Sequence, residues 1–494
     1  MRRRRFLGGL SAAAVAGASL GFRRRERAGP RAGALAPTAT RALELFVYGG
    51  LCPWDTFYCV PERGVGEGRY LHAFDVAARL DACVPEDILS QGSGIPTRPF
   101  AADASGALVH LGPWTWPLWS RPDVLARARV LLTRHDQLPH ATAIPLALTG
   151  RSLGRPEMAG TGASVERHFS ALTSGLRAAP HAAVIRAGIE PAVDNLEAAL
   201  AVGLHPSSAR PLDVNLATLP LLLGLLERPA TAGRRPEHDA LLARYHAQLR
   251  ARLVDRGGAP LRARQVDALA IADALRAGAP ALTELLSPKL FGLPLVEACG
   301  EPYTSTPMQA ARVAAHLLTR PAEEAARYVL WIDSALTPTY DGGHDSHQEH
   351  LEHASRCYPH TLAALLSVIN APGEGDPDKL ELDDTLIAIT SEFGRGPAQE
   401  DERRGLGHWP HAGVTVLIGG PVTAPAIVGA VDPESAVATA SISPAELRMA
   451  LLLALGVDPL VTGGFGAGDV RGAADELEAL AWLRAEVLGA QEEA

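Results

Sequence analysis

"LELFVYGGLCPWDTF", residues 43–57, is an apolar run that ends on two glycines and opens into a loop with a single aspartate. From Leu43 to Tyr48 the apolar residues are nearly continuous rather than alternating, which is the pattern of a strand covered on both faces. The same arrangement recurs along the chain. "ARVLLTR" (128–134) precedes "HDQLPHAT", "YVLWID" (328–333) precedes "SALTPTYDGGHDSH", and "DTLIAIT" (384–390) precedes "SEFGRG". "GVTVLIGG" (413–420) instead follows "GLGHWPH". Helical stretches such as 240–278 and 308–319 lie between these runs. Strands interleaved with helices predict an α/β fold, with a mostly parallel central sheet wound by helices on both faces. Residues 190–290 read as mainly helical, a helical insertion or cap on a single domain spanning 42–494.

Four of the five strands run straight into loops that carry Asp, Glu or His. In open parallel sheets ligands gather beyond the carboxyl ends of the strands. Asp55, His135, Asp136, His140, Asp341, Asp345, His347 and Glu392 are therefore expected to meet in one crevice, although they are far apart in sequence.

"DGGHDSHQEHLEHASRCYPH" (341–360) is rich in histidine. Ser346 and Glu349 read as a capping box, which starts a helix at His347. On a helix, each step of three residues slips back by about 60°. The run at 344, 347, 350 and 353 cannot hold one face, so His350 and His353 are expected mainly to face water. Asp345 and His347 straddle the cap beside the strand-end crevice. They read either as a pair of metal ligands or as an ordinary polar cap, with the helix N-terminus keeping His347 neutral. No H-E-x-x-H occurs, so a zincin-type peptidase is not indicated.

"MRRRRFLGGLSAAAVAGASLGF" (1–22) has a basic start and an apolar run shorter than the roughly 18–20 residues of a spanning helix. Arg3, Arg4 and the residues after them match a twin-arginine export signal. This predicts a signal peptide over 1–41, export by the twin-arginine translocase, and a periplasmic or extracellular protein. The chain carries a net charge of −9, and the first 41 residues hold ten Arg and one Glu. The remaining 36 basic and 54 acidic residues leave a net −18, a surface that repels phosphate backbones and argues against nucleic acid as a partner. The five cysteines contain no C-x-x-C. Cys52 and Cys59 are the nearest pair, and one disulfide or buried free thiols are equally open readings.

"LFVYGGLCPWDTFYCVPE", "HATAIPLALTGRS", "GGHDSH", "TSEFGRGP" and "GHWPHAGVTVLIGG", in that order over roughly 43–460, resemble the signatures of an exported bacterial family, domain of unknown function 1501. That family in turn resembles the alkaline phosphatase and sulfatase superfamily, which implies an alkaline-phosphatase-like sheet with a metal site at its strand ends. By that resemblance Asp55 matches the first metal-ligand aspartate, and Asp345 with His347 match the Asp and His of one metal position. Glu392 matches the Asp of an Asp-His pair, and His408 the late ligand histidine. His140, ten residues before Gly150, stands where sulfatases carry a modified Cys or Ser and phosphatases a Ser. Three departures stand out. His140 replaces the covalent nucleophile, Phe393 replaces the histidine of a second metal position, and Gly407 stands where the family has Asp. Thr142 is a poor substitute nucleophile because its offset is wrong.

These readings predict a metal-dependent hydrolase of a phosphate or sulfate ester, either a small molecule or a polymer. A divalent ion (zinc, manganese or calcium) would be held by Asp55, Asp345, His347, Glu392 and His408 and would activate a water. His140 would be a ligand or general acid/base. Arg395 would grip an anionic oxygen or else make a surface salt bridge. The alternative is a non-catalytic exported metal-binding protein that engages a surface polymer or a membrane partner.

Overall fold

The computed structural model describes residues 34–63, 96–152, 159–173, 180–187, 211–216, 235–255, 295–298, 301–336, 343–398 and 404–490. Outside them lie the segment expected to be a twin-arginine leader, Cys83, Cys299, Asp341 and most of 190–290.

Eight strands form the central sheet: β1 (Arg41–Val47), β2 (Ala128–Thr133), β3 (Ala182–Ala187), β4 (Leu212–Asn215), β5 (Tyr328–Asp333), β6 (Thr385–Ser391), β7 (Gly413–Gly419) and β8 (Ala426–Val428). Their order across the sheet is β8-β2-β7-β6-β1-β5-β3-β4. Every adjacent pair is parallel except the two made by β7, which runs antiparallel to β6 and to β2. The predicted mixed α/β architecture with a mostly parallel sheet is what forms. All five apolar runs are strands. The short β3, β4 and β8 were not anticipated, and β4 is an edge strand inside the segment expected to be mainly helical.

The helices used below are α1 (His140–Thr149), α2 (Thr161–Leu172), α3 (Arg235–Asp255), α4 (Thr306–Thr319), α5 (His350–Ser367) and α6 (Pro444–Ala454). Side chains alternate across the sheet and feed two cores. Leu43, Leu45, Val329, Trp331, Ile387 and Ile389 face α4 and α5. Ala42, Phe46, Leu330, Ile332, Leu386 and Ala388 face α1, α2 and α6. Both faces are therefore buried, which explains why the strands are apolar without alternation.

One charged residue interrupts this pattern. Glu44 points from β1 into the second core and receives Arg448 of α6 at 2.6 Å, the Tyr328 hydroxyl at 2.5 Å and the Thr390 hydroxyl at 2.7 Å. Burial favours the neutral acid, but Arg448 and the hydroxyl donors outweigh it and hold the Glu44 pKa below its ordinary value.

The C-terminal ends of β1, β5 and β6 finish level, because Val47 pairs with both Asp333 and Ser391. β7 is reversed, so its first residue, Gly413, lies beside Thr133, the last residue of β2. The loop before β7 therefore opens on the same rim as the loops after the other strands. This is how "GLGHWPH", which precedes a strand, comes to join segments that follow strands. Among the described residues, no helix is long and apolar enough to cross a membrane.

Candidate metal centre

Four segments converge on the rim. After β6, Glu392 and Phe393 lead into a two-residue ladder in which Gly394 and Arg395 pair antiparallel with Trp409 and His408. After β2, a loop with a cis Leu138–Pro139 bond delivers His140 as the first residue of α1. After β5, the chain returns through His344 to Asp345 and His347. After β1, Gly49 adopts φ +109°, and a Cβ there would overlap the backbone of Asp345. Glycine therefore lets the first and third loops touch. Gly405 does the same for the fourth loop, since a Cβ would run into the His347 carbonyl.

His140, Asp345, His347 and His408 each offer one donor atom, all within 4.8 Å of one another, and this group could hold a metal ion. His140 Nε2 is 3.3 Å from Asp345 Oδ2, and His347 Nε2 is 3.3 Å from Asp345 Oδ1. His347 Nε2 and His408 Nε2 are 2.8 Å apart. His140 Nε2 is buried and, beyond its approach to Asp345, has no hydrogen-bond partner. Its other nitrogen, Nδ1, donates to Glu392 Oε1 at 2.7 Å. Glu392 is itself fixed by the Gly49 N–H at 2.8 Å. The predicted ligand Glu392 thus orients an imidazole from behind. An outer carboxylate of this kind sets the tautomer and ring direction of a metal-binding histidine.

Arg395 is fully buried rather than a surface residue. Its guanidinium donates to Asp345 and to the carbonyls of Gly49 and Leu406. Its two terminal nitrogens are engaged by these partners and the side chain is shut off from the surface, so a surface salt bridge does not describe it. It holds Asp345 Oδ1 and leaves Oδ2 facing His140. Phe393 packs against His140 at 4.9 Å and His408 at 4.3 Å between ring centroids, while Tyr48 stacks on His140 at 5.5 Å. The Phe393 ring thus forms an apolar wall beside the two imidazoles.

The electrostatics follow from these contacts. Burial opposes a charged His140, as does its place at a helix N-terminus. Hydrogen bonding to Asp345 and Glu392 outweighs both and raises its pKa to about 9. Burial alone would raise the Asp345 pKa, yet the His140 and His408 hydrogen bonds and the Arg395 charge hold it well below the carboxylate range. His347 is kept neutral, as expected, but for another reason. It lies outside α5, and burial followed by the Arg395 charge lowers its pKa to about 4.

Asp55 is not in this group. It is buried and accepts from Trp114 Nε1 at 2.6 Å and His350 Nε2 at 2.8 Å. With Cys52 and His350 it forms a second group that could hold a metal ion. α5 begins at His350, not His347, and the predicted capping box does not form: Glu349, at φ +44°, is the N-cap and its side chain caps nothing. The Ser346 hydroxyl turns instead to His350 Nδ1 at 2.5 Å. His350 and His353 are both buried, against the expectation that they face water. The reason is that α5 lays this side of the helix against the sheet, where Ala354 and Tyr358 join the core. His344 is buried as well and donates to Asp333 Oδ2 at 2.9 Å.

The remaining candidates have structural roles. His135 donates to the Glu392 carbonyl at 2.7 Å, and Asp136 is exposed. The Thr142 hydroxyl is turned onto the Pro139 carbonyl at 3.0 Å. Cys52, Cys59 and Cys357 are separate buried thiols, so Cys52 and Cys59 form no disulfide. The pairings Asp55–His350 and Asp333–His344 escaped sequence reasoning. The usable signal was the acidic residue closing each strand or its first loop, set against a histidine run.

No curated protein matches the chain. The family described as "Protein of unknown function (DUF1501)" matches residues 39–480, a span that includes the sheet and every residue of the rim centre, and the chain belongs to that family.

Proposed function

We propose that the rim centre binds one divalent metal ion, zinc by preference, and that the protein is an exported hydrolase of anionic phosphate or sulfate esters. The observation that carries this reading is His140: one nitrogen is held by a buried carboxylate, and the other is buried and turned to Asp345 at 3.3 Å, grouped with His347 and His408. Three imidazoles and one carboxylate are a borderline donor set that suits zinc. Calcium prefers six to eight oxygens, and a nitrogen-rich group of four does not supply them. Phe393 fills the place of a further ligand, which favours one ion rather than two.

When bound, such an ion lowers the pKa of a water and polarises an ester oxygen. The chain's own residues do the rest. Glu392 keeps His140 in the tautomer that presents Nε2. Arg395 anchors Asp345 through Oδ1, and the apolar wall of Tyr48 and Phe393 limits water on one side. His347, whose side chain is 44% exposed, marks the open side from which a substrate would enter. The strand-end position of the centre and the match of His140 to a nucleophile position support a distant alkaline-phosphatase-like or sulfatase-like origin. The leader "RRRRFL" supports export.

A second reading, a non-catalytic exported metal-binding protein that engages a surface polymer or membrane partner, is favoured by Arg395. Its side chain is buried, and both terminal nitrogens already donate to Asp345 and two carbonyls, which turns it away from an incoming anion. Elemental analysis of protein purified without a histidine tag, followed by turnover of aryl phosphates and sulfates, decides. One zinc per chain with turnover lost in His140→Ala supports the hydrolase. Zinc without turnover supports the second reading, and absence of bound metal rejects both.

A further inference from the structure

We infer that Cys52, Asp55 and His350 form a second metal site, a buried structural site for a thiophilic divalent ion such as zinc, separate from the rim centre. Cys52 Sγ, an Asp55 carboxylate oxygen and a His350 ring nitrogen lie within 4.8 Å of one another, and each residue is at most 2% exposed. Asp55 Oδ1 is buried and receives no N–H or O–H donor, although Oδ2 accepts from both Trp114 and His350; the neighbour that the carboxylate shares with the site is the weakly donating Cys52 thiol. A buried carboxylate oxygen without a strong donor is costly, and a cation between it and the sulfur removes that cost.

The atoms not needed for ligation are already held from outside. Trp114 fixes Asp55 through Oδ2, and Ser346 fixes His350 through Nδ1. Outer contacts of this kind orient metal ligands. The charges also balance: a thiolate, a carboxylate and a neutral imidazole around a divalent ion sum to zero, which is what a site shut off from water requires.

The proton balance is simple. The Cys52 S–H bond breaks, a sulfur–metal bond forms, and that proton leaves to solvent. The His350 proton moves from Nε2, which then ligates, to Nδ1, which donates to the Ser346 oxygen. A hydroxyl can accept as well as donate, so Ser346 stays satisfied. A thiolate–imidazole–carboxylate donor set selects zinc or cobalt over calcium and magnesium. The site shares no ligand with the rim centre and does not depend on its activity.

The test is the full chain purified without a tag from cobalt-supplemented medium. The expected result is a thiolate-to-cobalt charge-transfer band in the near ultraviolet. It should disappear in Cys52→Ser together with one equivalent of cobalt, and persist in Asp345→Asn. If Cys52→Ser does not fold, the band in the unmutated protein still decides. Cobalt bound without that band, cobalt removed entirely by Asp345→Asn, or no cobalt at all overturns the inference and leaves Asp55–His350 as a hydrogen-bonded pair only.

Discussion

His140 Nδ1 lies 2.7 Å from Glu392 Oε1, across 252 residues of sequence, and this bond decides which nitrogen of His140 faces the rim. A carboxylate only accepts, so Nδ1 keeps its proton and Nε2 is the nitrogen that gives up its own to a metal ion. Glu392→Gln keeps the shape but replaces a charged acceptor with an amide that presents either an oxygen or an NH2 group. Metal affinity is expected to fall roughly 10–100-fold, the usual effect of losing an outer-shell partner. Competition against a chelator of known affinity measures it, and an unchanged affinity would remove Glu392 from the centre.

Asp345 is the point at which all the rim groups meet, since it contacts His140, His347, His408 and Arg395. Asp345→Asn should lower bound metal and thermal stability together, because an ion that binds only the folded chain stabilises it. Chelation of the unmutated protein should lower its melting temperature in the same way. A variant that melts early yet keeps its full metal content would mean that Asp345 is only a salt-bridge partner.

Arg395→Lys is expected to fail as a replacement. The guanidinium reaches Asp345 and two carbonyls at once, and a single ammonium cannot reproduce that fork. The positive charge stays, but a buried carbonyl left without its donor typically costs about 1–3 kcal/mol. Chemical denaturation of the metal-free variant reads this loss, and a change under about 0.5 kcal/mol, the range of ordinary surface substitutions, would refute it.

The sheet was legible because both of its faces are buried, so each strand announced itself as an unbroken apolar run. That signal carries no direction, and the reversal of β7 could not be read from it, although it places His408 on the rim. The centre was legible where residues follow strand ends, as with His140, Asp345 and His347, whereas His408 precedes a strand and was flagged only by the family resemblance. Asp55 also follows a strand, but its loop turns it towards Trp114 and His350. Arg395 looked like a surface cation because its partners are backbone carbonyls, to which pattern reading is blind. The histidine run misled for a related reason. The spacing of its histidines does not say which side of the helix packs inward, and the partners that hold His350 and His353 inside, Asp55 and the Gly343 carbonyl, lie on other loops.

His353 separates fold from metal. It is 7% exposed, and its Nδ1 is 3.2 Å from the Gly343 carbonyl. His353→Ala removes that hydrogen bond, usually worth about 0.5–1.5 kcal/mol, and leaves a small void beside Gly343. Stability should drop by about 1–2 kcal/mol by urea denaturation while metal content at the rim stays whole. Loss of metal in this variant would mean that the turn at Gly343 sets the position of Asp345.

Glu44 and Arg448 give the fold a defined acid sensitivity. The folded pKa of Glu44 lies below its ordinary 4.5, so the unfolded chain binds this proton more readily than the folded one. The stabilisation is complete above the unfolded value and is lost as the pH falls through the folded one. Glu44→Gln removes the titration and leaves Arg448 buried without a counter-charge, so the variant should be less stable at neutral pH by about 3–5 kcal/mol. Below about pH 4, by contrast, the gap between the two proteins should narrow, because protonated Glu44 resembles glutamine. Melting temperature followed from pH 7 down to pH 3 measures both quantities. A gap that stays constant across that range would show that Glu44 has the same pKa in the folded and unfolded chains.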